Sequence, residues 1–401
     1  MSRSRRLLCV GLLVLLGFSL GCSEFVVIGI EPELAAAFDV SLARVGELIS
    51  SFALTYAVAT PVLALSTGRF RRFQLLVAYA LLFCAGNVVA ALATDFEMLL
   101  VSRVLIGGVS GALLAVGVTY LPELVGHGRV SMAISVVYAA FSVAMVISTS
   151  LAKIIADTLD WHVAMAATLV LAVATCALLV ALLPRQGATD EPATVAEQAV
   201  LLKEPAVICG MAIFVFGVGS VYTFYGYITP YLEQVLGMDT AAASATLMGY
   251  GAMTLVSNLA AGWLDARFGM RALLVTFPVQ AAVLVALSAV GAAMPVALVV
   301  IMLVGLTMYL LSVPVIGLFM GIARERHPKA LTLASSLEPM AFNVGIAFGT
   351  AVGGAVVTGL GMGWSGYVGA AFSIVACALV GVTLWLGRGA MAVEAEGSTA
   401  R

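Results

Sequence analysis

Three ionisable residues stand inside runs of sequence that are otherwise apolar: Glu24, Arg103 and Glu338. A charge at the middle of a membrane span costs about 2.5–3.5 kcal/mol on insertion scales, so each needs a partner or a task. Glu24 falls six residues before the end of its run, about 9 Å deep at 1.5 Å per residue, and Arg103 sits at a similar depth in another. Equal depth points to an ion pair in which Arg103 holds Glu24 ionised until a proton or a cationic solute competes, the coupling step of an exchanger. The alternative is a fixed pair, or an Arg103 reaching the interface, that only braces the helices. Glu338 precedes Pro339, whose missing N–H loosens the local helix ladder. A carboxyl there could titrate or meet substrate, or it could reach water or a loop arginine such as Arg324.

Aromatic residues crowd residues 214–231, with Phe214, Phe216, Tyr222, Phe224, Tyr225, Tyr227 and Tyr231. Rings with a polar tip suit a cavity for an amphipathic or cationic solute, although the last three sit where an interfacial belt belongs. Tyr222 and, in a later run, Tyr309 are the lining candidates. Gly17-Phe18-Ser19-Leu20-Gly21 matches a nucleophile elbow and raises an intramembrane serine hydrolase as a remote alternative. That pattern needs a strand-turn-helix setting, and His127, His162 and His327 all fall in loops, away from Ser19.

The elements holding these residues follow from composition. Of 401 residues, 62% are hydrophobic and only 10% charged, with a mean hydropathy of +1.13, which no water-soluble surface tolerates. Spans of about 20 residues are read at roughly 7–30, 45–66, 74–93, 98–121, 130–156, 163–183, 205–230, 240–264, 271–292, 295–323, 330–358 and 364–387. Alternating ten-residue segments of a β-barrel are not seen. The basic start, Arg3, Arg5 and Arg6, resembles a leader, but the apolar stretch continues through Ile28 and reads as a retained span. A Pro-rich polar connector divides the chain into bundles over 1–184 and 205–401, with 185–204 as linker, an arrangement that supports rocking about a central site. Pro61 and Pro314 are expected kinks.

Placing both termini in the cytoplasm puts sixteen of the nineteen Lys and Arg residues inside, leaving Arg44 and Lys153 outside and Arg103 within a span. Glu31, Glu33, Asp39, Glu47 and Glu233 then belong to external loops. With no Walker sequence and three lysines, the chain cannot cradle ATP in the usual way. Uphill movement would draw on an ion gradient, with no cofactor and no metal. The six cysteines stand singly in apolar runs and read as small hydrophobes, and the loop-bound basic residues give no sign of nucleic-acid binding.

Two short basic turns recur at matching places. Gly262-Trp263-Leu264-Asp265-Ala266-Arg267-Phe268-Gly269-Met270-Arg271 joins the eighth and ninth runs, and a degenerate copy around Gly68, Arg69, Arg71 and Arg72 joins the second and third. The first resembles the loop signature of the major facilitator superfamily, and Arg103 with Gly107, Gly108 and Gly111 resembles its fourth-helix motif. Ser23-Glu24-Phe25 through Gly29, with Pro32, and Phe342-Asn343-Val344-Gly345 resemble the drug:proton antiporter branch of sugar-efflux and chloramphenicol-resistance proteins. The resemblance adds Asn343 to the lining candidates and makes Gly262, Asp265, Arg267, Gly269, Arg271, Arg69 and Arg72 a conformational-loop set. Two departures stand against it. The first turn has Gly68 where an aspartate is expected, and residues 146–152 lack the Gly-Pro pair of the antiporter signature.

The resulting reading is an all-α membrane protein of twelve transmembrane helices in two pseudo-symmetric six-helix bundles. It is a multi-pass, monomeric inner-membrane carrier with both termini cytoplasmic, with protons, membrane lipid and a small-molecule substrate as its partners. The activity is proton-coupled efflux of a small amphipathic drug or sugar-like metabolite by alternating access. The alternatives are an uptake carrier or an uncoupled facilitator, and a transporter-like sensor, for which the short tail gives no signalling domain.

Overall fold

The computed structural model describes residues 3–66, 70–125, 130–185, 197, 199–291 and 293–399. Arg69, Arg129, His127 and most of the connector expected over 185–204 lie outside them. Among the described residues the chain is helical throughout, with eleven stretches long and apolar enough to cross a membrane. One of these, Thr240–Val290, is two helices: Gly269 at φ 54° ends the first, its N–H bonded to Asp265 O, a conformation that costs a glycine little. Twelve spanning elements result, α1 (Arg3–Gly29), α2 (Leu42–Ser66), α3 (Arg72–Ala91), α4 (Phe96–Val118), α5 (Val130–Thr158) and α6 (Trp161–Leu182). The second half contains α7 (Pro205–Tyr225), α8 (Thr240–Phe268), α9 (Leu273–Val290), α10 (Met294–Thr307 and Ser312–Arg326), α11 (Leu331–Gly359) and α12 (Ser365–Thr399).

Polar caps start several of them. Asp95 accepts from Met98 N–H at 2.8 Å, Asp160 from His162 N–H at 2.7 Å and Asp239 from Ala242 N–H at 2.8 Å. The two ends of the bundle follow from contacts between helix termini. Arg44 at the start of α2 meets Glu97 at the start of α4, and His162 Nε2 lies 3.1 Å from Ala93 O beyond α3. At the opposite face Arg5 donates to Leu182 O, Arg72 pairs with Glu123, and Arg326 pairs with Glu204 at the head of α7. We call these the Lys153 face and the Arg72 face.

Packing within the first half joins α1 to α5 and α6, α2 to α4, and α3 to α4 and α6; the second half repeats this as α7 to α11 and α12, α8 to α10, and α9 to α10 and α12. The halves meet where α2 packs on α11 and α5 on α8. Toward the Lys153 face one continuous apolar core runs through both halves, from Phe25, Ile28 and Leu48 to Val218, Tyr222 and Ile346. Toward the Arg72 face the first half has its own core, around Leu16, Phe83, Leu113 and Tyr120.

Glycines allow the closest crossings, as the four-residue spacing in α11 suggests. A Cβ on Gly349 would fall on the carbonyl oxygen of Gly219 in α7, and one on Gly353 would lie 2.6 Å from Thr223 O. Since a backbone carbonyl cannot swing aside, Gly349→Ala is expected to cost about 1–3 kcal/mol of stability by overpacking. Gly381→Ala, whose Cβ would meet open space, should melt like the parent in a detergent thermal-shift assay.

The helices differ from expectation at three places. α8 runs to Phe268, so Asp265 and Arg267 are helical and the turn is only Gly269–Ala272. The tenth span breaks over Met308–Leu311, ahead of Pro314, whereas α2 is continuous through Pro61. α12 continues to Thr399, because Ala390, Met391, Ala392, Glu394, Ala395 and Glu396 are good helix formers that the apolar reading ignored.

Candidate transport site

Arg103 is 1% exposed in the middle of α4. Its guanidinium does not clamp the Glu24 carboxylate, as equal depth had suggested. Nη1 donates to Ser23 O at 2.5 Å, Nη2 to Glu24 O at 2.8 Å and Nε to Leu48 O at 3.4 Å, and the guanidinium carbon lies 4.5 Å from the Phe52 ring centre. The reason is local. Gly107 lets α4 press onto the Phe52 carbonyl of α2, which brings the planar fork against main chain, where helical carbonyls have a second lone pair to offer. Arg103 therefore ties α1, α2 and α4 together.

The Glu24 carboxyl, 7% exposed, is left without a hydrogen-bonded partner of its own and lines a narrow cavity of about 10 Å³, room for little more than one water. That cavity also touches Arg103, Ile49 and Phe52 from the first half and Tyr222 and Ile346 from the second. Beside Glu24, Ser23 donates to Asn87 Oδ1 at 2.9 Å. The structure thus brings Glu24, Arg103 and Tyr222 to one space between the halves.

Tyr222 is fully buried with its hydroxyl unpartnered, and its ring meets Tyr225 edge-on at 5.3 Å. Tyr225 stacks on Tyr250 at 4.8 Å. The break in α10 frees the N–H of Tyr309, which donates to Ser257 Oγ at 2.9 Å. Its ring stacks on Phe342 at 5.4 Å, and its hydroxyl reaches Met145 Sδ of α5, in the other half, at 3.7 Å. Asn343 donates from Nδ2 to Pro339 O at 3.0 Å and keeps a buried Oδ1 unpartnered. Unpartnered buried groups of this kind are expensive when dry and are paired by solute or water when a cavity fills.

Glu338 does not line that cavity. It is half-buried in α11 and forms no hydrogen bond or ion pair with the described residues, Arg324 included. In the loop set, Arg72 pairs with Glu123 at 2.5 Å and lies 4.3 Å from the Tyr120 ring centre, tying the start of α3 to the short helix Leu121–Val125 that follows α4. Arg267 rests against Trp263 and Phe268 at 5.9 and 5.6 Å. Gly262 and Arg271 stay at the same end as Asp265 and Gly269, so this set is remote from the cavity. Ser19 is buried in α1, while His162 sits against Asp160 and His327 against Glu204.

At residues 146–152, α5 is unbroken, with Ser148 donating to Cys22 O at 3.0 Å and Thr149 and Ser150 bonding back to Met145 O and Val146 O. The small residues that a Gly-Pro pair would have supplied stand on α1 instead. A Cβ on Gly29 would fall on Thr149 O, and one on Gly21 would lie 2.7 Å from Ala144 Cβ.

A second charged cluster was not anticipated. Glu31 and Lys153, read as external loop residues, are 0% and 2% exposed. Lys153 of α5 is bonded to Glu33, in the short helix Glu31–Phe38 after α1, and to Glu233, in the π turn Tyr231–Val235 after α7. One ammonium thus joins the two halves. Thr229 donates to Ile28 O at 2.5 Å, Thr240 to Asp157, and Ser50 to Ala347 O at 3.3 Å across the same seam. Tyr227 wedges between Gly46 and Gly354 and donates to Thr350 O at 2.9 Å. The Lys153 face is closed. The signal in the sequence is a lone lysine three residues after Ser150 in an apolar run, which a count of charges by loop assigns to water.

Residues 13–337 match the Major Facilitator Superfamily. The chain is 28% identical over 367 residues to the uncharacterized MFS-type transporter YtbD of Bacillus subtilis (strain 168), covering 91% of this chain and 92% of that one. It is 30% identical over 370 residues to the inner membrane transport protein YdhP of Escherichia coli O157:H7, covering 90% and 92%. Among solved structures it is similar to a bacterial homologue of the human lysosomal transporter Spinster in an inward-facing and occupied conformation, with a TM-score of 0.79 at 15% identity over 96% and 97% of the two chains. A D-xylose–proton symporter gives a TM-score of 0.71 at 18% identity over 92% and 96%.

Proposed function

This chain belongs to the Major Facilitator Superfamily, and from that membership we propose that it is a proton-coupled exporter of a small amphipathic or sugar-like compound, working by alternating access. As a multi-pass membrane transporter of that family it is not an enzyme, which leaves Ser19 a packing residue of α1. The reading assigns proton coupling to Glu24, with Arg103 as its electrostatic neighbour, and solute contact to Tyr222, Asn343 and Tyr309. The observation that carries it is the Glu24 carboxyl, unpaired in a cavity whose walls come from both halves. A proton and a solute competing for one such space exchange across the membrane when the halves rock.

The distribution of Lys and Arg supports the Arg72 face, with both termini, as cytoplasmic, and the relative named as an inner membrane protein supports placement in the inner membrane. The closed Lys153 face is then external, and the conformation is the one that loads substrate from inside. The intact α5 at residues 146–152 favours a second reading, an uptake carrier or uncoupled facilitator, because nothing there reproduces the antiporter signature.

Susceptibility profiling of a pump-deficient strain expressing the chain identifies candidate solutes, and inverted vesicles decide between the readings. Solutes to which the chain confers resistance should accumulate in the lumen when it is acidified, and leave when a protonophore is added. Accumulation that ignores the gradient, or occurs only in right-side-out vesicles, rejects the export reading.

A further inference from the structure

Glu31 is a carboxyl with no place for a charge. It opens the short helix after α1, is 0% exposed, and neither of its oxygens has a hydrogen-bond partner among the described residues. The seam of Thr229, Tyr227, Gly46 and Gly354 closes over this end of the bundle. The cation of this face, Lys153, is held by Glu33 and Glu233, so an ionised Glu31 would face the carboxylate of Glu33 with no cation of its own. The neighbouring elements offer no cation either: Tyr225 and Tyr227 of α7 and its extension bring hydroxyls, and Glu47 of α2, beside Tyr227, is itself acidic and held by Arg44.

We propose that Glu31 is a proton-binding site of the gate at the Lys153 face: the face closes over the protonated carboxyl, and opening it to water lets that proton go. The proton comes from water on that face and is held on a carboxyl oxygen. The inference deepens the function proposed above and rests on it only for the compartment that supplies the proton, the outside. Burial, with Glu33 adding to it, holds the Glu31 carboxyl well above the usual carboxylate range in this closed form. Burial also raises Glu33, against the pull of Lys153. The sign follows. A group that binds its proton more tightly in the closed form favours closure at low pH, and that preference fades as pH climbs from the ordinary carboxylate range toward the raised one. External acid therefore shuts the gate, and an alkaline exterior releases it.

The test uses the full chain in lipid nanodiscs, with the six native cysteines changed to alanine and spin labels at Leu159→Cys and Leu360→Cys. These positions are exposed at the Lys153 face, one on each half. As pH is lowered from mildly alkaline to mildly acid, the short inter-label distance should gain population in the parent. Glu31→Gln and Glu31→Leu should hold the short distance at every pH. In the chain with native cysteines, Glu31→Gln should also remove a protonated-carboxyl stretch from the infrared spectrum at neutral pH. A parent distance that ignores pH, a Glu31→Gln protein that titrates like the parent, or an unchanged infrared band each overturns the proposal. Glu24→Gln run alongside separates the two ideas: if it leaves gradient-driven transport intact, the coupling assignment fails while the distance titration still reports on Glu31.

Discussion

Arg103→Met is expected to lower stability by about 3 kcal/mol or more and to abolish transport with it. Hydrogen bonds from a charged donor contribute about 1.5–3 kcal/mol each, and Arg103 makes three, to Ser23, Glu24 and Leu48 carbonyls. The total is discounted because carbonyls within a helix keep their own N–H donors. Removing the fork also leaves the seam between α1, α2 and α4 to side-chain packing alone. Arg103→Lys is the informative companion. An ammonium keeps the charge and a point contact but cannot reach three carbonyls in one plane, so it should recover part of the stability without restoring the geometry around Glu24. A detergent thermal melt of the three proteins checks this, and an Arg103→Met protein that melts with the parent would show that the bonds are incidental.

The same residue shows what a sequence can and cannot convey. Composition alone placed the helices in a bilayer, and their count follows from run length, because a span must bury every backbone group within itself. Depth along a run also singled out Arg103 and Glu24 as neighbours. What depth cannot say is which atom a side chain meets. Arg103 found backbone because Gly107 removes the side chain that would have kept α4 from α2, a distance between helices that no one-dimensional pattern encodes. Tyr222 lines the cavity, whereas the ring density around it serves two ends. Tyr225 stacks on Tyr250 deep in the second half, and Tyr227 fills the seam at Gly46 instead of an interfacial belt.

The Lys153 cluster was illegible for a different reason. Hydropathy divides residues into span and loop, and treats everything in a loop as wet. The segments after α1 and α7 are short helical turns folded back onto the bundle, so Glu31, Glu33 and Glu233 are drawn inward with them. Their partner Lys153 lies near the end of a span, where counting assigns it to water. Only the meeting of two loops from opposite halves reveals that these charges belong together.

Glu24→Gln should leave a folded transporter that exchanges solute but no longer accumulates it against a gradient. The side chain keeps its size and stays within the same cavity, and Arg103 keeps its bonds, since they go to main chain. For that reason the stability loss predicted for Arg103→Met should be absent here. What disappears is the one carboxyl that, among the described residues, lines the cavity with Tyr222, and with it the group to which the proposed function assigns the proton. In proteoliposomes, pH-driven accumulation should fall to the level seen without a gradient, while counterflow of labelled for unlabelled solute persists. Loss of both activities would make Glu24 a solute-binding group first, and retention of both would move proton coupling to another carboxyl, the half-buried Glu338 of α11 being the next one within a span.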